Sequence, residues 1–146
     1  MKAEQWEAEQ KGKVIAMSTR KRILCVEDQT DTCDLIAYLL ADWEVICAQS
    51  QAEALQRVVR ENFDLILLDY HLPDGTGAEI CRVIRAFDQK TPVLFVTAFD
   101  GISSTELAEV GAQGLIKKGP YFTEMLVALT AQHLHSTATK GGYARR

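Results

Sequence analysis

Leu65-Ile66-Leu67-Leu68-Asp69-Tyr70-His71-Leu72-Pro73-Asp74-Gly75-Thr76-Gly77 is the stretch whose reading decides the fold. It begins as a continuous apolar run, which reads as a strand buried on both faces of a parallel sheet. The run stops at Asp69, and the turn formers Pro73, Asp74, Gly75 and Gly77 follow. One carboxylate therefore stands at the carboxyl end of a buried strand and faces a loop. In open α/β sheets that is where ligands bind. Asp69 is the first candidate for the chemistry.

Working outward, Arg22-Ile23-Leu24-Cys25-Val26 reads as a first strand ending in Glu27-Asp28. Thr30 or Asp31 is placed to cap the helix after it, with Leu35, Ile36, Leu39 and Leu40 as its apolar stripe. Glu44–Ala48 is a second strand. A helix over about 51–61 follows, with Leu55, Val58 and Val59 inward. Beyond Gly77 a third helix places Ile80, Val83, Ile84 and Phe87 inward. Val93–Thr97 is the fourth strand. A shorter helix over about 103–110 turns Leu107 and Val110 inward and closes at Gly111 as C′ residue. Gly114-Leu115-Ile116 is the fifth strand, ending at Lys117-Lys118. The last helix, about Tyr121 to His133, buries Phe122, Met125, Leu126 and Leu129. Five strand-then-helix units mean a parallel sheet with helices on both faces.

The chain of 146 residues is 47% hydrophobic and 25% charged, with a formal net charge of -4. This is the balance of one globular domain. It argues against a general nucleic-acid surface, which needs a basic excess. Residues 1–20 are polar and read as an N-terminal extension, dispensable for folding as far as residue 16. Residues 21–134 form the domain, and 135–146 read as a flexible tail. No apolar run approaches the ~18 residues of a membrane span, so a cytoplasmic location is expected. Cys25, Cys33, Cys47 and Cys81 lack Cys-x-x-Cys or Cys/His metal spacing and read as free core thiols.

The remaining polar residues fall in one place. If the first and third strands are neighbours, Glu27, Asp28 and Asp69 crowd one crevice. Like charges so close cost stability unless a cation sits among them. A small set of oxygen ligands suits Mg²⁺, which keeps waters and favours a phosphate partner. Lys118 brings a point charge for phosphate, and Thr97 a hydroxyl donor. A carboxylate so placed is a competent nucleophile toward phosphorus.

With those residues in view the chain resembles a bacterial two-component response-regulator receiver domain over about residues 21–134. The family's marks are an acidic pair ending strand one, an acceptor Asp ending strand three, Thr-Ala ending strand four and Lys ending strand five. Here they are Glu27-Asp28, Asp69, Thr97-Ala98 and Lys118, with Pro73 and Gly77 in the loop and Gly111-Ala112 before strand five. The resemblance implies a flavodoxin-like doubly wound sheet of five parallel strands, order 2-1-3-4-5, with five helices. It implies that Asp69 is the phosphoacceptor, and that Mg²⁺ is held by Asp28, Asp69 and the His71 backbone carbonyl, with Glu27 acting through water. Lys118 would pair with the phosphoryl oxygens and Thr97 would swing onto them, converting phosphorylation into a shape change. The phosphodonor would be a sensor histidine kinase, a phosphotransfer protein or a small phosphodonor. The output would be a contact with an unknown downstream protein, or a relay of the phosphoryl group to another protein, without direct nucleic-acid or membrane binding. Helix four, strand five and helix five form the signalling face and the candidate homodimer surface.

Leu115 stands where the family often has an aromatic. Gly119 stands where a cis proline is common, so the Lys118–Gly119 bond is expected to be trans. Phe99 is expected to limit water access to the aspartyl phosphate. The domain is expected to catalyse only its own phosphorylation and dephosphorylation. The rival activity is a Mg²⁺-dependent phosphohydrolase with an aspartyl-phosphate intermediate. Those enzymes generally carry a second acid two residues past the nucleophile, where this chain has His71.

Overall fold

The computed structural model describes residues 20–143, with side chains described as far as residue 135. The expected extension, apart from Arg20, lies outside the described residues. Five strands form one sheet: β1 (Arg22–Val26), β2 (Glu44–Ala48), β3 (Leu65–Leu68), β4 (Val93–Thr97) and β5 (Gly114–Lys117). The spatial order is β2-β1-β3-β4-β5, and every pairing is parallel. The helices are α1 (Thr30–Leu39), α2 (Gln51–Arg60), α3 (Gly77–Phe87), α4 (Ser104–Val110) and α5 (Phe122–Tyr143). This is the expected flavodoxin-like architecture. A small antiparallel ladder, His71–Leu72 with Gly75–Thr76, folds the loop after β3 back on itself.

The apolar runs of the strands supply two cores, because alternate side chains leave opposite faces of the sheet. Leu24, Val26, Ile66, Leu68, Val93 and Phe95 meet Ala54, Ile80, Ile84 and Val110 of α2, α3 and α4. Ile23, Cys25, Leu65, Leu67, Leu94, Val96 and Ile116 meet Ile36 and Leu40 at α1, and Leu126 and Leu134 of α5. The central β3 is buried at all four positions. That is why its sequence shows no polar alternation.

Several inward assignments are corrected. Leu35, Val59, Val83, Phe87 and Met125 are exposed. Each helix rests on the sheet along a narrower line than its apolar residues span. In α3 that line is Gly77, Ile80, Cys81 and Ile84, so Cys81 takes the place expected of Val83. In α5 it is Leu126, Thr130 and Leu134. The helix runs to Tyr143, beyond the expected end at His133. Neither proline nor glycine stands between Leu134 and Lys140 to stop it.

The helix starts are capped by Ser50, Thr76 and Ser103, whose side chains accept from the backbone N–H groups of Glu53, Glu79 and Glu106. Thr76 and Glu79 complete a capping box. The expected cap of α1 by Thr30 or Asp31 is not formed. Gln29 is the N-cap residue and makes no side-chain cap bond. Thr30 Oγ1 instead accepts from Gln49 Nε2 at 3.0 Å. Gly111 closes α4 with φ 83°, the left-handed conformation that favours glycine.

Candidate functional site

Strand register builds the site. Val26 lies beside Leu68, so Glu27 and Asp69 emerge together one residue beyond the ladder. Their own N–H groups donate to Ala48 O and Val26 O, both at 2.9 Å, and so fix the backbone at the mouth. Lys118 follows β5, with its N–H on Thr97 O at 3.0 Å. Side chains of four residues converge here. Carboxylate oxygens of Glu27, Asp28 and Asp69 lie within 4.8 Å of one another. Lys118 Nζ is 3.0 Å from Asp69 Oδ2 and is ion-paired with Glu27 Oε1. The second oxygens are also used: Glu27 Oε2 accepts from Gln29 N–H at 3.1 Å, and Asp69 Oδ1 from Tyr70 N–H at 2.7 Å.

Glu27 is only 2% exposed, and its burial raises the carboxyl pKa. The hydrogen bonds from Lys118 and Gln29 oppose that rise, and the Asp69 charge adds to it. Burial pulls the Lys118 ammonium down, but the hydrogen bonds to Glu27 and Asp69 outweigh it and leave the pKa raised. Lys118 is therefore the fixed positive charge of the site. Three carboxylates face this one ammonium. The surplus of negative charge, offered by oxygen donors alone, fits a hard divalent cation such as Mg²⁺.

Thr97 ends β4, buried at 2% exposure, and its hydroxyl accepts from Phe99 N–H at 3.1 Å. It is thus tied to its own loop. Lys117 projects away from Lys118 as expected from strand alternation, bonding Ala98 O at 3.2 Å and Asp100 Oδ1. His71 is exposed, and its ring meets Phe99 edge-on at 4.6 Å. Tyr70 stacks on Phe99 at 5.0 Å and donates its hydroxyl to Glu106 Oε2 at 3.0 Å. Half-buried Leu115 packs against the same core. An aromatic group absent from position 115 is therefore present across the loops as Tyr70, His71 and Phe99. Among the described residues every peptide bond is trans, Lys118–Gly119 included.

Two loop residues have roles that their turn-forming character did not reveal. A Cβ at Gly77 would lie 2.3 Å from Asp69 O and 2.8 Å from the Phe95 ring. Glycine lets α3 begin against the backbone of Asp69. Asp74 accepts from the N–H groups of Gln51 at 2.7 Å and Ala52 at 3.0 Å, pinning the loop to the first turn of α2.

The fold and this crevice define a doubly wound domain with three carboxylates and an ammonium gathered at the carboxyl ends of its strands. Residues 23–130 match the response regulator receiver domain family, and the chain belongs to it. It is a module of two-component, phosphorylation-based signalling. It is 29% identical over 117 residues to the transcriptional regulatory protein ZraR of Klebsiella oxytoca, covering 78% of this chain and 26% of that protein. The chain thus spans about a quarter of that relative's length. A CheY-like response regulator receiver domain protein from Methanospirillum hungatei superposes with TM-score 0.73 at 25% identity, covering 82% of this chain and 98% of that one. The response regulator TrrA from Thermotoga maritima, in complex with Mg²⁺-BeF, gives TM-score 0.67 at 27% identity over 75% and 96% of the two chains.

Proposed function

We propose that Asp69 is the phosphoacceptor of this receiver domain, in a reaction that requires Mg²⁺. The observation that carries the reading is the convergence of Glu27, Asp28 and Asp69 with Lys118 Nζ 3.0 Å from Asp69 Oδ2. A carboxylate oxygen of Asp69 attacks the phosphorus of a phosphohistidine on a sensor kinase or phosphotransfer protein. The new P–O bond forms as the P–N bond breaks, and the imidazole leaves with the electron pair. Lys118 holds the acceptor in place and stabilises the charge gathering on the phosphoryl oxygens. Asp28, Asp69 and the backbone carbonyl of His71 would ligate Mg²⁺ directly, and Glu27 through water. When bound, the ion neutralises phosphoryl charge. Thr97 gives up its bond from Phe99 N–H to donate to the phosphoryl group, and the loop carrying Phe99 moves with it.

Tyr121, Met125 and Val127 are exposed on or beside α5 and support α4, β5 and α5 as the face that meets a downstream protein or a second copy. Among the described residues no helix is long and apolar enough to cross a membrane. We place the domain in the cytoplasm, where its kinase would present the phosphohistidine. It acts on its own phosphoryl group rather than turning over a separate substrate.

Incubation with Mg²⁺ and a small phosphodonor, followed by mass spectrometry, tests the assignment. One phosphoryl group is expected on the parent and none on Asp69→Asn. A parent that gains no phosphoryl mass, or a variant that gains it equally, would overturn the role of Asp69. Steady hydrolysis of a phosphate ester would favour the phosphohydrolase instead.

A further inference from the structure

Away from the acidic crevice, the fold assembles three thiols from separated parts of the sequence. Cys25 and Cys47 are directly paired on β1 and β2. Cys33 lies in the first half of α1 against the same face. Their three Sγ atoms lie within 4.8 Å of one another, and all three thiols are free. Cys25 and Cys33 are buried, while Cys47 is half-buried and gives the cluster a side open to solvent. Cys33 Sγ donates to Glu27 O at 3.2 Å, and Cys47 Sγ to Cys33 O at 4.0 Å. Among the described residues no imidazole or carboxylate joins the group.

Three converging sulfurs are soft ligands. Structural zinc sites are closed by four ligands, so zinc is a poor match for this set. Charge narrows the choice further. Three thiolates around a monovalent ion bury two net negative charges, and around a divalent ion one. Around a trivalent ion they bury none, and uncompensated buried charge is costly. The carboxylates of Asp34 and Glu53 are the charged groups that act on Cys47, and both oppose its ionisation. They penalise an anionic complex further. The hydrogen bonds from Cys25 and Cys33 outweigh burial and bring the Cys47 thiol down to about 7, while the hydrogen bonds with Cys33 and Cys47, with burial, hold the Cys25 thiol well above its ordinary value.

We propose that Cys25, Cys33 and Cys47 form a three-sulfur site for a trivalent thiophilic metalloid of the arsenic(III) class. With arsenous acid the exchange is balanced. Three As–O bonds break and three As–S bonds form. The three thiol protons leave with the three hydroxyl groups as water. No electron is transferred, and the product is neutral. Cys33 gives up its hydrogen bond to Glu27 O in the process.

The test uses the full, reduced chain with arsenite as the probe. Native mass spectrometry is expected to show one arsenic bound per chain, and X-ray absorption three As–S bonds. Cys25→Ala, Cys33→Ala and Cys47→Ala are each expected to weaken retention about a hundredfold or more, since each removes one arm of a chelate. Cys81→Ala leaves retention unchanged. The absorption measurement on the parent needs no variant and stands even where a core substitution fails to fold. Absence of binding, two sulfurs around arsenic, retention indifferent to the three substitutions, or displacement of arsenite by an equal concentration of zinc would each overturn the site.

Discussion

At the amino-terminal edge of the sheet, Arg22 is surrounded by partners. Its guanidinium bonds Glu44 at 3.2 Å, Glu61 at 2.7 Å and Asn62 O at 3.0 Å, and lies over the Phe63 ring at 4.9 Å. Its backbone N–H reaches Asp64 at 2.8 Å, and Arg57 adds a second cation on Glu61 at 2.9 Å. At the carboxyl-terminal edge, Lys118 is the one cation among the described residues that pairs with the three-carboxylate cluster. Both edges are ionic, but they use charge differently. The first interleaves cations and anions and fastens β1, β2, α2 and the approach to β3. The second keeps an anionic surplus, which costs stability unless a cation joins it.

The largest expected effect comes from removing the Lys118 ammonium. Lys118→Ala should slow Mg²⁺-dependent phosphoryl uptake about a hundredfold, the scale of losing one preorganised charge contact. Initial rates of phosphoryl-mass gain check this. A rate within a factor of two of the parent would break the contrast between the edges.

Arg22→Met sharpens the comparison from the other side. It should cost about 1–3 kcal/mol of stability, because several charge-assisted bonds are lost together. Urea unfolding measures that cost. Phosphoryl uptake per folded molecule should stay at the parental rate.

Phe99→Ala tests the aromatic cover of the acidic edge. The variant should lose its phosphoryl group faster, by less than about tenfold, or under about 1.4 kcal/mol of barrier. The decay of the phosphorylated species shows the difference, and an unchanged lifetime removes Phe99 from the account.

The smallest effect belongs to Asp74. The N–H groups of Gln51 and Ala52 hold its carboxyl below the ordinary 3.8. A depressed folded pKa contributes stability that is present above the unfolded value and is lost as pH falls through the folded one. The Gln51 and Ala52 amide resonances should therefore titrate below pH 3.8 in the parent. They should lose that titration in Asp74→Asn.

Much of this arrangement was legible in the residues themselves. Leu65–Leu68 announced a doubly covered strand because both of its faces are buried and nothing polar interrupts it. Glu27, Asp28, Asp69 and Lys118 were legible because strand ends in a parallel sheet share one edge. The helix faces were less so. Val83 and Phe87 fit an apolar stripe as well as Cys81 does, and only the line of contact with the sheet separates them. Arg22 read simply as the start of a strand, since its partners Glu44 and Glu61 lie 22 and 39 residues away. The three thiols were hidden for the same reason. Their proximity is created by the Cys25–Cys47 register and the placement of α1, not by local spacing.

The grip of Lys118 on Glu27 and Asp69 has a consequence for how the crevice fills. A dication arriving there does not enter a vacant cup. It contends with an ammonium already seated on one oxygen each of Glu27 and Asp69, so its apparent affinity is an exchange constant. Shortening that arm would therefore tighten ion uptake even as it slows transfer, and the two quantities would move in opposite directions.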